Sequence, residues 1–338
     1  MYESYYGLTD KPFQLNPDPA FYFASRGHKR AFAYLQYGLH QGEGFIIITG
    51  EVGAGKTTLI RNLLEQIDPK QLVAAQLVST QLDADDLLRA VATAFGLPAN
   101  ASDKARLLAE LEAFLVSLVP QHKRALLIVD EAQHLSGRAV EELRMLSNFQ
   151  LGNQGLLQSF LVGQPELRTI MQGPQMQQLR QRVMASYHLG PMDKAETQAY
   201  IEHRLRHVGW RDDPTFENGA FEAIFAFSAG IPRQINTLCN RLLLAAYLSE
   251  KHTIDAEHVE AIVAEIALEL SGLNVPAQEQ TASVASSIED FLDDATSAFG
   301  LEPRVARLER AMSSVVKLLQ PAARSDAPES SANRTREG

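Results

Sequence analysis

Residues Gly50 to Thr57 read Gly-Glu-Val-Gly-Ala-Gly-Lys-Thr, a G-x-x-x-x-G-K-[ST] pattern that commits its neighbourhood to one arrangement: strand, glycine-rich turn, helix. Both flanks agree, because the apolar run Phe45-Ile46-Ile47-Ile48-Thr49 precedes the loop and the helix-forming stretch Thr58 to Leu64 follows it. Gly50, Gly53 and Gly55 leave room for backbone N–H groups to turn inward on phosphate oxygens, with Glu51, Val52 and Ala54 contributing amides between them. The helix that starts near Lys56 adds the positive end of its dipole. Lys56 is the candidate for the β/γ-phosphates, Thr57 for Mg²⁺, and Thr58 closes the set. A plain strand-to-helix turn needs neither the lysine nor the third glycine.

The chain has 338 residues, which suggests two domains and an extra segment at about 100–200 residues per domain. Its composition, 45% hydrophobic and 21% charged, is that of an ordinary globular protein. A net charge of −10 argues against phosphate-driven nucleic-acid binding as the main affinity, although it leaves room for a local basic patch. The one cysteine, Cys239, cannot close an internal disulfide and fits a small buried side chain in a reducing compartment. Met1 to Tyr6 lacks a secretory-signal layout, and no apolar run reaches the roughly 18 residues of a membrane span. The expectation is a soluble, cytoplasmic protein that reaches a membrane only through a partner.

Tyr2 to Phe23, with Pro12, Pro17 and Pro19, has no sustained period and reads as an irregular strap within residues 1–27. Two readings stay open: Phe13, Phe21 and Phe23 anchor the strap to the core, or part of it covers a nucleobase. A helix is expected from His28 to His40, and helices around Asp83–Phe95 and Asp103–Val119. Short apolar runs at Phe45–Thr49, Leu72–Val78, Ala125–Asp130, Leu156–Gly163 and Val183–Leu189 read as buried parallel strands. Residues 28–191 thus predict an α/β fold with a doubly wound, five-stranded parallel sheet, whose ligand sits beyond the carboxyl ends of the strands.

From Asp193 the pattern turns to helices only, about Lys194–Val208, Glu217–Phe227, Pro232–Ser249 and Ala256–Leu270, which predicts a helical lid over 192–271. Residues 272–300 read as a flexible linker. Over 301–320, Leu301, Val305, Leu308, Met312, Val315 and Leu319 form an a/d seam that suits either a short coiled coil or a helix docked on its own body, and 321–338 reads as a disordered tail.

Hydrolysis needs a second carboxylate site, which Ile128-Val129-Asp130-Glu131 supplies at a strand end. Asp130 is the candidate for the Mg²⁺ shell and Glu131 for polarising the attacking water. Adjacent residues leaving a strand point in different directions, so the two acids can divide these jobs. Arg233 follows Gly230 and Pro232 at a helix start; a cation there opposes the helix dipole and calls for a compensating anion.

At this point the chain resembles the AAA-type ATPases, in particular the ATPase modules of general secretion pathway protein A and of exosortase or exopolysaccharide loci. The resemblance rests on Gly50 to Leu59, on Leu127 to Leu135 (LIVDEAQHL), on Leu161 to Leu167 (LVGQPEL) and on Gly230 to Asn236 (GIPRQIN), and runs over about residues 1–270. It implies a P-loop core followed by a helical lid, with ATP and Mg²⁺ as ligands. It further implies that Gln164 is the polar sensor of the γ-phosphate, that Arg182 or Arg180 reaches a neighbouring subunit's nucleotide, and that Arg233 carries nucleotide state into the lid.

The resemblance also implies a homo-oligomer serving an envelope export or polysaccharide system. Members like secretion protein A often continue into a membrane anchor, which this chain lacks; the soluble type, acting through a cytosolic or inner-membrane partner, is therefore expected. A nucleotide-switched, DNA-associated regulator like the transposition ATPases is the alternative, and a non-hydrolysing scaffold a third. His203 and His207, four residues apart, read as a solvated helix face rather than a metal pair.

Overall fold

We describe residues 1–16, 18–78, 82–98 and 103–273 of a computed structural model. Met1–Leu268 forms one compact unit. The linker from 274 onward, the seam at 301–320 and the tail at 321–338 lie outside the described residues.

The strands are β1 (Phe45–Gly50), β2 (Leu72–Val78), β3 (Arg124–Asp130), β4 (Leu157–Gly163) and β5 (Val183–Leu189). Besides the one-turn helices Tyr2–Tyr5 in the strap and Gln177–Arg180, the helices are α1 (Arg26–Gln41), α2 (Lys56–Gln66), α3 (Ala84–Ala94), α4 (Lys104–Leu118), α5 (Gly137–Leu146), α6 (Glu166–Gln172), α7 (Lys194–His207), α8 (Asn218–Ser228), α9 (Pro232–Leu248) and α10 (Ala256–Leu273). The five strands form a parallel sheet in the order β2–β3–β4–β1–β5, which is the expected doubly wound α/β fold.

Both faces of the sheet are covered, which is why the central strands read as unbroken apolar runs. Ile46 and Ile48 pack with Leu35 of α1 and Leu59 and Ile60 of α2 on one face. Phe45 and Ile47 pack with Leu87, Leu111 and Leu143 on the other. Parallel register sets Thr49 of β1 beside Gly163 of β4, and Val78 of β2 beside Asp130 of β3. The carboxyl ends that carry Gly50, Asp130 and Gly163 therefore share one edge of the sheet.

Helix starts follow local chemistry. Ser25 accepts a hydrogen bond from the His28 amide (3.2 Å), Asp83 from that of Asp86 (3.2 Å), and Asp193 forms a reciprocal capping box with Glu196. Gly42, at φ 78°, ends α1.

The helical part departs from expectation in one respect. Thr215–Phe216 and Thr253–Ile254 pair as a two-residue parallel ladder, too short to show a period in sequence. A second small ladder joins Gln150–Leu151 to Gln154–Gly155.

The strap's phenylalanines are anchored on the lid core, while Tyr22 packs against the cluster on the sheet face that α1 and α2 cover. Tyr2, Phe13 and Phe21 are buried with Ile201, Leu205, Ile235 and Leu238, and Phe23 packs against the same cluster. Cys239 is fully buried there, and burial pushes its thiol pKa up.

Candidate functional site

The loop after β1 turns on two residues that need glycine. Gly53 sits at φ 83° and Gly55 at φ 94°, conformations that strain any residue with a Cβ. Space is short as well: a Cβ on Gly53 would collide with the Arg233 side chain, and one on Gly55 would lie 2.7 Å from His28 Nε2.

Gly50 closes β1, Glu51 and Val52 are exposed, and Ala54 is buried at the turn, its amide donating to Glu51 O (3.1 Å). Lys56 opens α2, and its buried ammonium donates to Gly50 O (2.7 Å) and Glu51 O (3.0 Å). Burial lowers the Lys56 pKa, while the nearby Glu131 and Asp130 charges pull it back up.

Thr57 donates its hydroxyl to Asp130 Oδ2 at 3.0 Å, joining the loop to the end of β3. Asp130 is only 4% exposed, and burial raises its pKa against the opposing Thr57 hydrogen bond. Glu131 follows in the left-handed region (φ 53°), so the chain turns sharply and the two carboxylates diverge. Such a conformation costs about 1–3 kcal/mol and persists where its surroundings enforce it.

Here two side-chain amides hold the Glu131 carboxylate. Its Oε2 accepts from Gln133 Nε2 (2.6 Å) and from Gln164 Nε2 (3.1 Å), and the Gln164 backbone N–H donates to Gln133 Oε1 (3.0 Å). Burial alone would raise the Glu131 pKa; these hydrogen bonds and the Lys56 charge win, keeping it below the ordinary value and ionised.

The lid meets the loop directly, for the Arg233 amide donates to Gly53 O at 3.2 Å. The exposed Arg233 side chain borders a cavity of about 460 Å³ that Gly53, Gly55, Lys56, Thr57, Thr58 and Glu131 also line. Strap residues line it too, among them Phe21, Tyr22 and Phe23.

Arg180 and Arg182 lie elsewhere. Arg180 is exposed and donates to Met171 O (2.7 Å) and Gly173 O (3.1 Å); the half-buried Arg182 donates to Ser147 O (2.8 Å) and Ser147 Oγ (2.9 Å). Neither lines the cavity.

Two participants escaped the sequence reading. Gln133 was visible within Asp130-Glu131-Ala132-Gln133, but its bond to Glu131 depends on the turn after β3. His28 carried no signal, because its place under the loop comes from packing. It is buried, pairs with Ser25 Oγ through Nδ1 (2.7 Å), and bonds to the Ala54 backbone; burial drives its pKa down to about 4. His203 also corrects an expectation. His207 is exposed as expected, with its ring 4.4 Å from the Phe21 ring centre, whereas His203 is half-buried with its ring 5.5 Å from that of Phe23. Among the described residues no cluster of metal-ligating side chains forms, and no helix is long and apolar enough to cross a membrane.

A parallel sheet with a glycine loop after β1 and an acidic pair after β3, which β4 separates from β1, has the fold of a P-loop nucleotide-binding protein of the AAA type. Residues 39–171 match the family model described as AAA domain. The chain carries that domain on a P-loop fold and resembles the AAA-type ATPases.

The chain is similar to General secretion pathway protein A of Aeromonas hydrophila, 39% identical over 274 residues, which are 81% of this chain and 49% of that protein. The chain thus spans about half the length of the curated relative. Among solved structures, the ADP form of the Aeropyrum pernix ORC2 protein superposes with a TM-score of 0.58 at 18% identity, over 76% of this chain and 73% of that one. Drosophila ORC bound to DNA gives 0.57 at 16%, over 90% and 82%. At such identities the likeness is one of fold.

Proposed function

We propose that this chain binds ATP with Mg²⁺ and hydrolyses it to ADP and phosphate, with the lid transmitting nucleotide state to a partner. The observation that carries this reading is the Glu131 carboxylate, clamped by Gln133 and Gln164 on the wall of the cavity that Lys56 also lines. The donors suit the metal: Thr57 Oγ1 and Asp130 Oδ2 are hard oxygens 3.0 Å apart, and a cation would relieve the burial cost of the Asp130 charge. Bound there, Mg²⁺ would neutralise charge developing on the phosphate oxygens.

The loop amides and Lys56 bind the phosphates, and Lys56 exchanges two backbone carbonyls for phosphate oxygens as it does so. Glu131 takes a proton from water as the water oxygen attacks the γ-phosphorus, and the bond to the bridging oxygen breaks to release ADP. Gln164 orients Glu131 and senses the γ-phosphate. Arg233 closes the lid on the same group, and Arg180 or Arg182 acts in a neighbouring copy of a homo-oligomer.

We assign the biological role to an envelope export system, secretion-like or exopolysaccharide-associated, at the cytoplasmic side of the inner membrane through a protein partner. Identity to General secretion pathway protein A over most of this chain supports that assignment.

Binding of a fluorescent ATP analogue and phosphate release test the chemistry together. Lys56→Ala is expected to abolish binding. Glu131→Gln should retain it and slow turnover by about 10²- to 10⁴-fold. Wild-type turnover in Glu131→Gln would refute the assigned base. Stimulation by duplex DNA that fades steeply with salt would replace the export role with a DNA-associated one.

A further inference from the structure

Arg204 of α7 is 5% exposed, and among the described residues no carboxylate pairs with it. Its guanidinium spends its donors on the strap and the lid instead. Nε donates to Pro12 O (2.6 Å), Nη2 to Gln14 O (3.4 Å) and Nη1 to the Tyr200 hydroxyl (2.8 Å). The Phe21 ring lies 4.8 Å from its central carbon, close enough for a cation–π contact that offsets part of the burial cost.

The network continues into α9. The Tyr200 hydroxyl donates to Asn236 Oδ1 (2.9 Å), and Asn236 Nδ2 reaches back to Gln14 O (3.5 Å). Asn236 stands one turn along the helix that begins with Pro232 and Arg233. The same fork therefore holds the strap's backbone and the helix that touches Gly53. Only a planar, multidirectional donor can bridge these acceptors at once; a lysine ammonium cannot.

All three side chains, Arg204, Tyr200 and Asn236, border the cavity on its strap side, while Lys56 and Thr57 border the phosphate end. The strap lines it with the rings of Phe21 and Tyr22 beside the polar Gln14, Asn16 and Asp18, so a ligand with an anionic end at the loop and a flat ring with polar edges at the strap fits it, which describes a nucleoside triphosphate with its base toward the strap.

Resting on the nucleotide reading above, we propose that Arg204 is a positioning residue for the nucleobase. It fastens the strap to α7 and α9 so that the wall for the base is preformed, and base occupancy is felt by the helix that carries Arg233. Its contribution falls on the base and not on the phosphates.

The test compares the full-length protein's affinity for ATP with its affinity for inorganic tripolyphosphate, which lacks the base. Arg204→Lys is expected to weaken ATP by about 10- to 100-fold, from the loss of charged hydrogen bonds, and to leave tripolyphosphate affinity unchanged. Tyr200→Phe keeps the guanidinium and its bonds to Pro12 O and Gln14 O and removes only the hydroxyl that joins Arg204 to Asn236, so it should shift ATP in the same direction by a smaller factor. It decides the matter if Arg204→Lys does not fold. Equal weakening of both ligands, or of neither, would overturn the proposal. Wild-type protein that binds tripolyphosphate no less tightly than ATP would also overturn it, while wild-type protein that binds neither would overturn the nucleotide reading instead.

Discussion

Lowering the pH should unfold this protein through His28, by an amount that the structure sets. His28 lies behind the loop at 6% exposure, and burial takes its pKa from 6.5 to about 4. Above about pH 6.5 the ring is neutral in both folded and unfolded chains and contributes no difference. As pH falls from 6.5 toward about 4, the unfolded chain takes up a proton that the folded chain refuses, so stability drains across that window and levels off below it. The full interval is worth about 3 kcal/mol. Carboxylates titrate in the same range, and a variant that lacks only the imidazole removes their share.

Urea unfolding of the wild type and of His28→Gln at about pH 7.5 and about pH 4.5 gives the required double difference. The wild type should lose about 2–3 kcal/mol more than the variant over that step. Equal losses would show that the ring is not held neutral under the loop, and the reasoning would fail. A larger loss in the variant would do the same.

Two further outcomes follow from contacts at the same edge. Gly53→Ala places a side chain in the left-handed region and against Arg233, so it should cost about 1–2 kcal/mol of stability and weaken ATP binding; an unchanged denaturation midpoint would contradict this. For the arginines, mixing Lys56→Ala chains with Arg182→Ala chains, or with Arg180→Ala chains, should restore part of the turnover for whichever residue acts between subunits. No recovery for either, in assemblies shown to mix, would rule out a finger at these positions.

What the sequence determined by itself is what short stretches of chain decide. The β2 and β5 strands fall at Leu72–Val78 and Val183–Leu189 as their apolar runs predict, and α7 starts after Asp193 because its cap is local. The loop from Gly50 to Thr57 was legible because its glycines, lysine and threonine act within one turn of backbone. Short-range order also limited the view. The ladder between Thr215–Phe216 and Thr253–Ile254 is two residues on each side, and nothing of that length carries a period.

Tertiary structure alone decided which distant groups share a place. Gln164 reaches Glu131 across 33 positions only because β3 and β4 are neighbours in the sheet. His28 ends beneath Ala54 because α1 packs on the face of the sheet from which α2 departs. The strap's phenylalanines could be read as anchors, but whether they anchor on sheet or lid depends on which apolar surface is free. The lid offers Arg204 and a groove of leucines and isoleucines, whereas both faces of the sheet are already covered by helices. Hydrophobic pattern marks a side chain for burial without naming its partner; the partner is fixed by the geometry of the packed whole.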